Sequence, residues 1–398
     1  MFQVYDKKYN CSGCTACASI CPVSAICMKP DEKGFLYPYV DQLVCIHCNK
    51  CINTCPIRNK QLQIAGSDVE SELACRCFAM RLLDEEKLSK STSGGAACGF
   101  AEAVIEAGGS VYGAAYGVDN NVIYIRVDSA DALWKLQGTK YVQSDVRGVF
   151  CYVKADLEAN RQVLFFGTAC QIEGLRAFLG REYKNLITVD AICFGVPSPM
   201  LWKKFLTEEY ENYSECSFNM RDKISGWKDS SFTIEKNGQR IGQCKRDDVS
   251  FLRAFNRAYG LRDSCFSCAF KKSVHDADLT IGDCWGIDKL VREGSTDNSG
   301  TNMVFANTAK GLEMIKNVWN NFWIEELPLI PAIKENMMLV KSVEHPKYET
   351  EFWEDIIHNP FKNVIYKYAP RDSVTLKLKK KLYRIKQAVM EKRSKEEV

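Results

Sequence analysis

From about residue 72 onward, short apolar runs alternate with stretches of helical periodicity. The runs at 111–116, 163–166, 186–189 and 279–281 read as strands, and 94–107 and 171–179 read as helices between them. This alternation predicts an α/β domain over 72–330 with a mostly buried mixed sheet and functional loops at the strand ends. Residues 1–60 are different. They are short on long apolar runs and marked by Cys-Pro pairs, so a core there depends on bound metal, and metal binding and folding should be one event. The polar stretch 59–68 reads as the linker between the two segments. Beyond Pro360 the pattern turns basic and helical, inside an extension at 331–398. Its run at 376–386 is a solvated terminal helix on the plainer reading, and a contact for an anionic membrane surface or partner on the other.

At 398 residues the chain can bury two or three cores without covalent staples. Its 20 cysteines are too few for a disulfide scaffold of this length, and nine of them crowd into the first 55 residues. That clustering points to metal. The start, Met1-Phe2-Gln3-Val4-Tyr5-Asp6-Lys7-Lys8, has no apolar signal region, and no stretch reaches the ~18 apolar residues of a membrane span. A reducing cytoplasm is the expected setting. A formal net charge of +3, without an aromatic-interleaved basic stripe outside the tail, argues against nucleic acid as a partner.

Two cysteine runs carry the most specific signal. Cys11-x2-Cys14-x2-Cys17-x3-Cys21-Pro22 and Cys45-x2-Cys48-x2-Cys51-x3-Cys55-Pro56 each match the spacing of two-cluster bacterial ferredoxins. Three thiolates of a tight loop reach one cube, and the fourth cysteine reaches the other. Cys11, Cys14, Cys17 and Cys55 are therefore expected to hold one [4Fe–4S] cluster, and Cys45, Cys48, Cys51 and Cys21 a second. The expected architecture is an α+β ferredoxin-like module followed by the larger α/β domain. Zinc is the competing metal, but its sites seldom use three thiols at successive x2 spacing closed by Cys-Pro. Cys27 is expected to be a buried small hydrophobe and His47 an exposed loop residue.

Further along, Cys170 and Cys193 each follow an apolar run, at the sheet edge where α/β proteins place chemistry, and Cys265-x2-Cys268 forms a pair. These four are candidates for a third cluster. A redox pair at Cys265 and Cys268, or simple burial, is the alternative. Cys75, Cys77, Cys98, Cys151, Cys216, Cys244 and Cys284 lack ligand-like spacing and read as packing.

Three segments look suited to an anionic organic cofactor. Ser91-Thr92-Ser93-Gly94-Gly95 precedes a helix, where a hydroxyl cap and glycine amides either meet a phosphate or serve as an ordinary N-cap. Lys140, Tyr141, Gln143 and Ser144 share one polar loop. Asp283 and Trp285 end a strand, where the aromatic either stacks on a ring or fills a corner of the core.

These segments together resemble the coenzyme F420-reducing hydrogenase/dehydrogenase beta-subunit family, and in particular bacterial members with a fused two-cluster ferredoxin. The resemblance spans about 10–320. It rests on 91–95, 138–144, 167–171, Cys193-Phe194-Gly195-Val196-Pro197-Ser198, Arg221-Asp222-Lys223 with Gly226-Trp227, Cys265-x2-Cys268-x-Phe270-Lys271, and 278–286. It implies FAD or FMN in the α/β domain and strengthens the third cluster at Cys170, Cys193, Cys265 and Cys268. The chain departs from the family pattern at Ala169, Phe194 and Cys284, where relatives usually carry Pro, His and Phe. Phe194 removes a candidate proton donor beside the third cluster. His275 is the nearest replacement in sequence, though an exposed loop position is expected for it.

A flavin exchanges electron pairs and a cube exchanges single electrons, so the expected function is an iron–sulfur flavoprotein oxidoreductase joining the two. Lys140, Tyr141 and Arg221 are the candidates for orienting flavin or substrate. The expected partner is a redox protein such as ferredoxin, and the resemblance adds an organic substrate in surface-polysaccharide synthesis. The alternative is an electron-transfer subunit that serves a catalytic partner and has no substrate of its own. Clusters that only brace the fold or sense redox state are the third reading.

Overall fold

The computed structural model describes residues 4–58, 75–291 and 298–372. The expected linker at 59–68 and the basic run at 376–386 lie outside them. The chain opens with an antiparallel pair, β1 (Ile26–Pro30) and β2 (Leu36–Val40), flanked by one-turn helices at Ala16–Ser19 and Lys50–Asn53. The body follows with β3 (Arg76–Leu82), β4 (Ser110–Tyr116), β5 (Val122–Val127), β6 (Val163–Thr168) and β7 (Leu186–Ala191). After these come β8 (Cys216–Asp222), β9 (Ser231–Lys236), β10 (Gln239–Lys245), β11 (Leu279–Asp283), β12 (Asn302–Ala306) and β13 (Phe322–Leu327).

Eight of these strands form one mixed sheet in the order β13-β3-β12-β11-β7-β6-β4-β5. Its centre, β11-β7-β6-β4, is parallel, and the pairings outside it are antiparallel. The four runs read from the sequence are the four strands of that parallel block. Alternation along β6 shows why both faces are covered. Leu164 packs toward the Ala96–Glu106 and Ala309–Asn317 helices, while Val163 and Phe165 pack toward Val149–Glu158 and Ala169–Leu179. The C-terminal ends of β6 and β7 are thereby left open for ligands.

A separate antiparallel sheet, β10-β9-β8, packs with the helices Pro199–Glu209, Ser250–Asn256, Glu349–His358 and Phe361–Tyr368. Trp202, Phe205 and Phe251 lie at its centre, and fully burying a side chain of this size contributes about 1.5–3 kcal/mol. The same core takes in Phe35 and Tyr37 of the N-terminal hairpin, with Phe35 edge-on to Trp353 at 6.2 Å. Arg262, which is 0% exposed, locks that junction. Its Nε donates to the Cys11 carbonyl at 2.7 Å, Nη1 to Gln143 Oε1 at 2.8 Å and Nη2 to the Leu36 carbonyl at 3.0 Å. The guanidinium also lies 4.2 Å from the centre of the Tyr37 ring. Among the described residues no helix is long and apolar enough to cross a membrane.

Candidate metal centres and cofactor site

The two N-terminal cysteine runs fold the same way. In each, the residue after the second cysteine is left-handed, Thr15 at φ 66° and Asn49 at φ 59°, and starts a one-turn helix that carries the third cysteine. Cys11, Cys14, Cys17 and Cys55 line one small cavity, and Cys21, Cys45, Cys48 and Cys51 line another. Burial, reinforced by Cys11 and Cys55, pushes the Cys14 thiol up to about 12. Burial also raises Cys51, with Cys21 and Cys45 adding to the effect. Among the described residues no three His, Cys, Asp or Glu side chains close on a single ion, as a mononuclear zinc site requires. Four thiols around one cavity are the donor set of a four-iron cube. Cys27 corrects its expectation, because on β1 its side chain faces outward and is exposed. His47 is exposed, in a left-handed loop position at φ 54°.

Cys170, Cys193, Cys265 and Cys268 come together at the open ends of β6 and β7, around a cavity of about 800 Å³. Cys170 opens the Ala169–Leu179 helix, whose N-terminus is fixed by Gln171 Oε1 accepting from the Thr168 amide at 2.9 Å. The Thr168 hydroxyl lies 3.1 Å from Cys170 Sγ. Burial pushes Cys170 well above the usual thiol range, and Cys268, Cys193 and Cys265 add to the effect. Burial pushes Cys265 up to about 12. At Cys193 the Lys271 ammonium opposes the rise, and Lys271 Nζ also donates to the carbonyls of Cys193 and Met338. Gly195 sits at φ +154°, where a Cβ would lie 3.3 Å from Cys265 Cβ. The donor set again fits a cube, with space left over.

His275 departs from its expected exposed position. It is 5% exposed, with Nδ1 2.6 Å from Asp190 Oδ2 and Nε2 3.3 Å from the Leu339 carbonyl. The buried Asp190 on β7 needs a partner, and the loop before β11 supplies it. Among the cysteines read as packing, Cys75, Cys77, Cys216 and Cys284 are buried and Cys98 and Cys244 are half-buried. Cys151 is the correction: it lies on the solvent side of its helix and is exposed.

Cys14 of the first quartet packs on the helix that carries Cys170, at one glycine. Gly174 lies one helical turn beyond Cys170, and a Cβ there would lie 2.7 Å from Cys14 Cβ and 2.9 Å from Cys14 Sγ. A side chain at this position would force the two elements apart.

The residues proposed for an organic cofactor separate into groups. Gly95, at φ 82°, is itself the N-cap of the Ala96–Glu106 helix, so the expected hydroxyl cap is corrected. Ser91 donates to the Lys87 carbonyl at 2.8 Å and Ser93 to the Thr301 carbonyl at 3.0 Å. The Ala96 amide is taken by Asn302 Oδ1 at 3.0 Å. Gly94 is pressed against strand backbone, where a Cβ would lie 2.2 Å from the Met80 carbonyl oxygen. Gln143 and Ser144 are engaged elsewhere, by Arg262 and by Gln171. Lys140 Nζ donates to the carbonyls of Leu136 and Gln137, at 3.2 and 2.7 Å, and burial pushes it down to about 7.

Arg221, Asp283, Trp285 and Tyr141 do assemble. Arg221 Nη1 donates to Asp283 Oδ2 at 2.6 Å, and Trp227 Nε1 donates to Asp283 Oδ1 at 3.0 Å. Trp227 packs on Trp285 with ring centroids 4.9 Å apart, and Trp285 is 49% exposed. The Arg246 guanidinium lies 5.5 Å over the Tyr141 ring. Tyr141 packs on Phe255 at 4.7 Å and Phe255 on Phe194 at 5.2 Å, so an aromatic column runs from this pocket to the residue beside Cys193. The buried Nε atoms of Arg221 and Arg246 lack partners among the described residues, which fits an anionic cofactor such as a flavin nucleotide. Sequence reasoning missed Arg246, Arg262 and the Asp190–His275 pair, which are isolated residues without motif spacing.

Residues 160–331 match the family model for the C-terminal part of the coenzyme F420 hydrogenase/dehydrogenase beta subunit, and residues 10–59 match the 4Fe-4S dicluster domain. Among solved structures the chain is similar to a chain of the xenon-derivatised F420-reducing [NiFe] hydrogenase complex from Methanosarcina barkeri. The two are 17% identical with a TM-score of 0.42, over 69% of this chain and 96% of that one. No curated protein matches. The N-terminal match supports two [4Fe–4S] clusters, and the two family matches together support an iron–sulfur, electron-transfer character.

Proposed function

We propose that this chain is an iron–sulfur flavoprotein that passes single electrons between its N-terminal clusters and a flavin serving an organic substrate. The observation that carries this reading is continuity. Cys14 of the first quartet packs against the helix that begins at Cys170, and the Tyr141–Phe255–Phe194 column links the third quartet to the Arg221–Trp285 pocket. Cys11, Cys14, Cys17 and Cys55 would hold one cube, Cys21, Cys45, Cys48 and Cys51 the second, and Cys170, Cys193, Cys265 and Cys268 a third. A bound FAD or FMN supplies the exchange between electron pairs and single electrons. The chain's own residues orient that cofactor through Arg221 and Tyr141, flank it with Trp285, and keep Asp283 fixed between Arg221 and Trp227.

A second reading is favoured by the beta-subunit family model and by the exposure of the second quartet. Cys48 is exposed there, and Leu43, just ahead of Cys45 in sequence, is 99% exposed. On this reading the chain is an electron-transfer subunit that docks a redox partner such as ferredoxin at that loop. Anaerobic assay of iron, sulfide and flavin per chain tests the first reading, with a Cys193→Ser/Cys268→Ser variant alongside. It predicts about twelve irons and one flavin, with iron falling to about eight in the variant. About eight irons and no flavin in both would overturn it. Turnover of substrate by the isolated chain separates the first reading from the second.

A further inference from the structure

We propose that Arg221 and Arg246 form a subsite for a phosphate group, with Tyr141 between them and the Trp227–Trp285 pair beside it. The subsite deepens the flavoprotein reading and depends on it only for the identity of the molecule that carries the phosphate.

The argument starts from charge. Asp283 is fully engaged, with one oxygen taken by Arg221 Nη1 at 2.6 Å and the other by Trp227 Nε1 at 3.0 Å. Its ion pair within contact distance is with Arg221, not with Arg246. Arg246 nevertheless sits in the same pocket, on the short turn that follows β10, and among the described residues no carboxylate lies within ion-pair distance of it. The Nε of Arg246 and the Nε of Arg221, whose side chain is 8% exposed, are both buried without a hydrogen-bond partner among the described residues. Burial lowers the pKa of Arg246 and Arg221 lowers it further, against an opposing pull from Tyr141, Asp283 and Asp247. At Arg221 burial has the same tendency, but Asp283 and Tyr141 outweigh it. A second, half-buried guanidinium beside one shared carboxylate leaves positive charge that Asp283 and Asp247 offset only from a distance, and an anion bound between the two arginines would complete the site. The free donor edge of an arginine suits the paired oxygens of a phosphate. The half-exposed Trp285, braced by Trp227 at a 41° tilt, offers its open face to an aromatic ring attached to that phosphate.

Two molecules could bring this phosphate, a flavin nucleotide or a phosphorylated substrate. The test is calorimetric titration of the full-length chain, prepared with its iron but stripped of flavin, with inorganic phosphate, FMN and riboflavin. Wild type is compared with Arg246→Gln and with Arg246→Lys, which retains the charge. Iron content and far-UV circular dichroism check that each variant is folded. The expected result is saturable phosphate binding in wild type, weakened about tenfold or more in Arg246→Gln and partly restored in Arg246→Lys. If FMN binds much more tightly than riboflavin and Arg246→Gln abolishes the difference, the phosphate is the flavin's. If FMN and riboflavin bind alike while inorganic phosphate still depends on Arg246, the phosphate belongs to the substrate. Absence of saturable phosphate binding in wild type, or equal binding in wild type and Arg246→Gln, would overturn the subsite. These titrations do not depend on the number of clusters, so the subsite and the twelve-iron reading can fail separately.

Discussion

The N-terminal quartets and the third quartet gather the same ligands by opposite means. The first two are local. Each is three cysteines on a loop that turns at a left-handed residue, repeated once in the chain, with one cysteine exchanged between them. The third is assembled by the fold, from the ends of β6 and β7 and from a loop some seventy residues later. A local site depends on its metal to fold, whereas a site built by a sheet keeps its scaffold without metal.

The largest effect should follow from removing iron. Anaerobic chelation is expected to strip hydrogen-exchange protection from residues 4–58 while the eight-stranded sheet keeps its far-UV signal. Equal loss in both regions would erase the contrast. Next comes the joint between them. Arg262→Met leaves the Cys11 and Leu36 carbonyls and Gln143 without their donor. Denaturant titration should show a loss of about 3–5 kcal/mol, with the N-terminal module released first. Gly174→Ala is smaller, because its added methyl meets Cys14 Cβ and Sγ. It should cost about 1–3 kcal/mol and lower the iron held by the Cys14 quartet without touching the third.

The local quartets were legible in the sequence because their spacing is itself the geometry. The parallel strands β4, β6, β7 and β11 were legible as apolar runs. β5 and β13 were not, since Arg126, Glu325 and Glu326 interrupt them. The serine-glycine segment misled for a physical reason. Glycines that admit a phosphate and glycines that admit a neighbouring strand look the same, and Gly94 is of the second kind. His275 read as an exposed loop residue and Arg246 and Arg262 carried no motif at all, because only the fold shows that His275 and Arg262 are enclosed and that Arg246 faces Tyr141.

The last effect, tied to pH and not to either cluster region, concerns Lys140. Its pKa is lowered to about 7 by burial, against 10.5 when unfolded, so the unfolded chain binds the extra proton between those values. Stability should therefore rise with pH across that window, and the Lys140→Met variant should lack that slope. Paired denaturation curves at pH 7 and 9.5 check the sign.

The most direct measurement is electron paramagnetic resonance of the dithionite-reduced chain, with spins counted in wild type and in Cys193→Ser/Cys268→Ser. If a third cube is bound at the head of the helix whose Gly174 packs on Cys14, the spectrum should be broadened by spin–spin interaction and should lose about one spin and part of that broadening in the variant. An identical spectrum and spin count in both proteins would contradict a third centre coupled to the first.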